Sequence, residues 1–212
     1  MKNLDEAIKL TKKASTSKFP GSIDLHLAIN LPKDKEAKST KGSISLPHPV
    51  KTQESKIIVF CTKEDEAKAK RAGAVEAGLE KLIKKVQEGW MEFDVAIATP
   101  TVMAQIAVLG KQLGPKGLMP NPKTGTLTKD VKKTVAEFQK GKTKWACDEG
   151  AVVHISVGKV DSDDKLINEN VLFVVKKVAE VVGKPIEGLL KSVHLSPTMG
   201  ASTQVDLESF KD

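Results

Sequence analysis

The chain has 212 residues, 40% of them apolar, with 34 basic against 27 acidic side chains and a net charge of +7. That suffices for one large or two modest domains, while no apolar run approaches the roughly 20 residues that span a bilayer. The N-terminus, with Asp5 and Glu6, resembles neither a signal peptide nor a transit peptide; Cys61 and Cys147 stand too far apart for a metal knuckle or a disulfide framework, and His26, His48, His154 and His194 form no ligand spacing, so the expectation is a cytosolic protein with reduced, buried thiols and neither metal nor cofactor.

Asn3 followed by Glu6 reads as a helix N-cap with a capping-box partner. Leu4, Ala7, Ile8 and Thr11 then mark one helical face that ends near Ser15. From Ile23 the period changes to two: Ile23, Leu25, Leu27, Ile29 and Leu31 alternate with more polar residues, the mark of a half-buried strand. Lys33 to Lys41 is a polar loop, and Ile44 and Leu46 suggest a partner strand closed by Pro47 and Pro49. The pattern changes again near residue 51. Ile57 to Phe60 and Val95 to Ala98 are short continuous apolar runs, as in strands covered on both faces. Helices are expected from Glu64 to Ala72, around Leu79 to Val86, and through Val102, Ile106 and Leu109, so this stretch alternates strand and helix as a parallel, Rossmann-like sheet does. After Gly141 period two returns in Val153, Ile155 and Val157, with 142–147 expected to pair with them across a turn at Glu149-Gly150. A long helix follows Asp164, carries Ile167, Val171, Val174, Val178 and Val182 on one face, and stops at Gly183 and Pro185; a last strand holds Val193 and Leu195.

Neither end of the chain can bury a core alone. Joined, residues 1–50 and 142–212 make a two-layer, split βαβ domain of α+β class, and residues 51–141 become an inserted three-layer α/β domain reached by two linkers.

The charge is concentrated. Between Lys111 and Lys144 nine lysines face only Asp130 and Glu137, which accounts for the whole net charge. A basic segment on a neutral body suits a polyanion, although a solvated lysine-rich surface reads the same way. Arg71 is the only arginine, Tyr is absent and other aromatics are few, which favours reading of backbone and shape over base-edge forks or extensive stacking.

Residues 114–126 read GPKGLMPNPKTGT, with three glycines and three prolines, and so form a punctuated loop. Gly117 to Thr124 nearly matches a phosphate-binding loop, the one basis for the alternative of a nucleotide-binding or phosphoryl-transfer enzyme on the inserted domain. Pro122 stands where that motif needs its second glycine, and proline supplies no N–H to a phosphate. No nucleophile–base pair or paired carboxylates appear elsewhere, so a non-enzymatic protein is expected.

The same segment resembles the signature of the large-subunit ribosomal protein L-one family in its bacterial form. The likeness continues through LDEAI at 4–8, SKF at 17–19, SLPH at 45–48, RAGA at 71–74, FDVAIATP at 93–100, VHISVGKVD at 153–161 and PTMGA at 197–201. The resemblance implies a protein that binds folded large-subunit rRNA and forms the mobile stalk beside the tRNA exit site. It implies contact with outgoing tRNA and, in many members, repression of its own mRNA. It further implies a cytoplasmic, ribosome-bound protein that is a monomer when free. By motif match the principal RNA surface is Lys18, Phe19 and Ser22 with Ser192, Thr198, Met199 and Gly200. Lys116, Lys123, Lys132 and Lys133 are left as a secondary electrostatic surface. Phe19 and Met199 suit ribose and base faces, Thr198 and Ser192 suit 2′-hydroxyls, and Gly200 would admit the RNA backbone; core packing is the competing role for Phe19 and a C-terminal core plug for Met199. Three departures alter expected contacts. The N-terminus is short, Pro49 replaces the usual glycine after LPH, and Lys41 replaces an arginine before glycine.

Overall fold

The computed structural model describes residues 2–17, 19–31, 40–50, 56–114, 117–128 and 130–210. Helix α1 (Leu4–Ala14) leads to strands β1 (Ser22–Ile29) and β2 (Lys41–Ser45). Then β3 (Ile57–Phe60), α2 (Lys63–Arg71), β4 (Glu76–Gly78), α3 (Glu80–Gln87) and β5 (Val95–Ala98) alternate. Short helical turns follow, among them α4 (Met103–Ile106) and α5 (Gly110–Leu113), and then α6 (Val131–Gln139). Strands β6 (Lys142–Ala146) and β7 (Val152–Lys159), helices α7 (Asp164–Val182) and α8 (Ile186–Leu189), and strands β8 (Leu190–Pro197) and β9 (Thr203–Val205) complete the order. The chain divides into two compact units, Met1–Val50 with Thr143–Asp212, and Lys51–Lys142.

The first unit is built on β1. Its sheet runs β7-β1-β8-β9 with every neighbour antiparallel. Ile23, Leu25, Leu27 and Ile29 point to one face and are buried, as period two requires. They join Val153, Val157, Val193 and Leu195 in one core with Leu4 and Ile8 of α1 and Val171, Val174 and Val178 of α7. Asn3 caps α1 by accepting the Leu4 N–H at 2.7 Å, so the cap closes on the first amide of the helix. Helices α1 and α7 are tied at their polar edges: Asn168 donates to Asp5 at 2.7 Å, and Lys12 reaches Ser162 O and the Asp164 carboxylate.

Two pairings differ from the expectation that 142–147 returns onto 153–157 and Ile44-Leu46 onto the first strand. Strands β2 and β6 instead pair with each other in a separate two-stranded sheet, and a single bridge, Cys147 to Val153, links this segment to β7. Asp148 accepts the Val152 N–H at 2.7 Å and Ala151 adopts φ +59 in the turn, while the Cys147 N–H donates to Thr40 O at 2.9 Å and so extends the pairing with the β2 side. Trp145 is buried, and a Cβ on Gly42 would stand 3.0 Å from its indole nitrogen, so only glycine lets the indole lie against β2.

Asn170, buried on α7, holds the chain where it leaves this unit. Its Oδ1 accepts the His48 N–H at 3.1 Å, and its Nδ2 donates to His48 O at 2.9 Å and Val157 O at 2.8 Å. One side chain thus satisfies three backbone groups from two segments.

In the second unit three parallel strands lie in the order β4-β3-β5. Ile57 and Val59 face one cluster with Val131, Val135 and Phe138 of α6; Ile58 and Phe60 face another with Leu82, Val86, Ile106 and Leu113. That two-sided burial explains the unbroken apolar runs. Strand β4, three residues long, and helix α6 are elements that the sequence pattern does not announce. Both cysteines are buried thiols, and burial pushes both thiols above their ordinary range. No helix among the described residues is long and apolar enough to cross a membrane.

Replacing Asn170 by Ala should therefore destabilise the first unit by about 2–4 kcal/mol, because buried backbone groups are left without partners. Chemical denaturation measures this; a change below about 0.5 kcal/mol would show that the latch contributes nothing.

Candidate nucleic-acid interface

The loop after α1 and the turn after β8 are stitched together. The Thr198 N–H donates to Ser22 O at 3.0 Å, and Thr198 Oγ1 donates to the same oxygen at 3.1 Å. Reciprocally, the Thr16 N–H and Oγ1 donate to Met199 O at 3.1 and 3.2 Å, and Ser15 bridges to Gly200. Ser17 Oγ donates to Phe19 O at 2.8 Å. Residues 15–17, 19–22 and 197–200 thus present one surface.

On that surface stand two large apolar side chains in water. Phe19 is 63% exposed and Met199 54%, and they are two of the five exposed large hydrophobics among the described residues. Neither is a core residue, which removes the competing role for each. Gly200 also has a packing reason. A Cβ there would stand 2.3 Å from Ala14 O and 2.8 Å from Pro197 Cγ. The end of α1 thus makes a close backbone approach that itself demands glycine. Lys18 lies outside the described residues.

The strand register places the remaining residues. On the face of the sheet opposite the core, cross-strand partners form four successive rows. They are Lys159–Ser22–Thr198, Ser156–Asp24–Ser196, His154–His26–His194–Gln204 and Val152–Ala28–Ser192. Ser22 and Thr198 share the first row, whereas Ser192 stands in the last. It is on the same face but not part of the stitched corner. Thr16 and Ser17 of the corner, and Asp24 and the histidines of this face, are residues that sequence reasoning misses. The STS run at 15–17 is the available signal for the loop, whereas the histidines align only once register is known.

In the second unit the punctuated loop turns its polar groups inward. Thr126 Oγ1 accepts the Asn121 N–H at 2.9 Å, Thr124 and Thr126 hydroxyls are 2.9 Å apart, and Asn121 Oδ1 accepts the Lys123 N–H at 2.9 Å. Leu127 bridges to Ala98, which sets the loop beside β5. The near-match to a phosphate loop is therefore a short 3-10 turn, Pro122–Thr124, closed on its own backbone. Lys123 is exposed on that turn, and Lys132 and Lys133 are exposed on α6. Lys116 lies outside the described residues. Glu137 meets Lys142 at 2.8 Å, and this hydrogen bond holds its carboxyl below the usual range. No group of three or more His, Cys, Asp or Glu among the described residues is placed to hold a metal ion.

Residues 10–201 match the model of the ribosomal protein L1p/L10e family. The chain is also similar to the large ribosomal subunit protein uL1 of Thermosipho africanus, at 42% identity over 206 residues, which is 96% of this chain and 88% of that protein.

The stitched corner makes a contrast in stability. Gly200→Ala should cost about 1–3 kcal/mol, because the new methyl overlaps the Ala14 carbonyl. Met199→Ala, in water, should stay within about 0.5 kcal/mol of the parent. Denaturation curves of both proteins test this; equal stability of the Gly200→Ala protein and the parent would contradict the close packing.

Proposed function

The chain belongs to the ribosomal protein L1p/L10e family, and from that membership we propose that it is a structural, non-enzymatic constituent of the large ribosomal subunit, bound there through large-subunit rRNA. The first unit, in this reading, is a discontinuous RNA-binding domain of residues 1–50 and 142–212, and residues 51–141 are an inserted α/β domain. The RNA contacts are Lys18, Phe19, Ser22, Ser192, Thr198, Met199 and Gly200, with Gly200 acting by packing the turn against α1. Lys116, Lys123, Lys132 and Lys133 supply a secondary electrostatic surface.

The observation that carries this is the exposure of Phe19 and Met199 on a corner that hydrogen bonds hold in shape. Exposed apolar side chains on a rigid polar surface are a stable protein's cost for a binding site. Rings and thioethers suit ribose and unstacked bases, and the neighbouring hydroxyls suit 2′-OH groups. The finer roles follow the family resemblance: a mobile stalk beside the tRNA exit site, help in releasing exit-site tRNA, and repression of translation by binding its own mRNA. The protein is then cytoplasmic and monomeric when not on the ribosome. Co-sedimentation with large ribosomal subunits in high salt tests the principal role, and a chain that stays in the supernatant contradicts it.

Two sets of variants separate the surfaces. Phe19→Ala and Met199→Ala should each weaken binding to large-subunit rRNA by about tenfold or more and leave its salt dependence unchanged. Neutralising Lys123, Lys132 and Lys133 should reduce the slope of log affinity against log salt by about 0.7–0.9 for each phosphate that is no longer neutralised. Filter binding over a salt series measures both, and an unchanged slope would place those lysines away from the RNA.

A further inference from the structure

The row His154–His26–His194 crosses the open sheet face between the first and last rows of that face. Ser22 and Thr198 occupy the first row and Ser192 the last, six residues apart along β1, or roughly 20 Å at strand rise. An RNA that touches both rows must cover the histidines between them. We propose that these three histidines contact the RNA backbone and that His26 takes up a proton as they do, an inference that rests on the RNA-binding reading of this unit.

The hydrogen bonds define where the proton goes. His26 Nδ1 and His154 Nδ1 are 2.7 Å apart, so one donates and the other accepts. His154 Nε2 faces Asp148 Oδ2 at 3.5 Å. With His154 protonated on Nε2, toward the carboxylate, its Nδ1 is the acceptor and His26 Nδ1–H the donor. The lone pair of His26 Nε2 is then the position for the next proton. Adding it preserves the chain Asp148–His154–His26 and creates a cationic donor midway between Lys159 of the first row and Ser192 of the last.

In the unbound protein this proton is held weakly. Partial burial lowers the His26 pKa first, His154 and His194 lower it further, and Asp24 opposes them. The groups that face the row are His154 on β7 with Asp148 before it, Asp24 on β1, His194 on β8 and the uncharged Gln204 on β9; α1 and α7 pack on the other face. At neutral pH His26 is accordingly uncharged until a phosphate approaches. A phosphate raises its proton affinity, so binding takes up a proton and strengthens as pH falls. The sign for folding is opposite. A histidine with a lowered folded pKa contributes stability that is fully present above its unfolded value, about 6.5, and is lost as pH falls from there through the lower folded pKa. Acid should therefore weaken the free protein while it tightens the complex.

The test is affinity for deproteinised large-subunit rRNA, measured by filter binding from pH 8 to pH 6, for the parent, His26→Gln and His194→Gln. One proton taken up gives at most about tenfold tighter binding per pH unit. The parent should approach that slope, and His26→Gln should lose it. His194→Gln removes a neighbour that lowers the His26 pKa, so its rise should begin at higher pH. The RNA's own titration is common to all three proteins and cancels in the comparison. If the parent binds at pH 8 but its curve parallels that of His26→Gln, the proton-linked contact is wrong and the RNA reading stands. If circular dichroism shows His26→Gln unfolded, the His194→Gln curve decides, and its coincidence with the parent overturns the proposal. A parent that binds at no pH sinks the RNA reading and this inference together.

Discussion

Strand β1 has two edges, and both are filled by strands made much later in the chain. Ala28 pairs with Val152 on one side and Ser192 on the other. An unpaired strand buried at the centre of a sheet would strand a full set of backbone donors and acceptors. The N-terminal segment therefore cannot finish folding until residues beyond 150 arrive, and everything between must leave and return. The second unit, Lys51–Lys142, occupies that interval. Its own sheet pairs only strands from within it, so it makes no demand on the first.

The same constraint builds the candidate interface. Because β8 lies antiparallel to β1, the end of β8 meets the start of β1, and the loop after α1 is delivered to the turn at 197–200. Gly200 fits under the Ala14 carbonyl, Thr198 closes on Ser22, and Thr16 closes on Met199. The side chains of Phe19 and Met199 stand in water above this backbone. Rigid backbone beneath exposed apolar groups lowers the ordering cost of binding, because little conformational freedom remains to be given up.

Much of this is legible in the residues. The period-two run from Ile23 to Ile29, the apolar face of α1 and the unbroken runs at 57–60 and 95–98 appear as read, because burial on one or two faces imposes those patterns directly. Strand β4 is not legible, since three residues are too short for a period. The partners of β2 and β6 escape a sequence reading because alternation identifies a strand without naming its neighbour. Here the neighbour of β6 is β2, a strand far away in sequence. For the candidate site, SKF and TMG point to this corner by resemblance, but the reason for Gly200 is hidden. Nothing local says that the end of α1 will lie against it. The histidine row is hidden for the same reason, as His26, His154 and His194 are neighbours only through pairing.

The central claim is that both chain ends together make one RNA-binding body around β1. It is tested most directly by joining residues 1–50 to 142–212 with a short glycine linker in place of the second unit. The account predicts a cooperatively folding protein that keeps most of the parent's affinity for large-subunit rRNA. A joined chain that does not fold, or that folds and fails to bind the RNA, would contradict it.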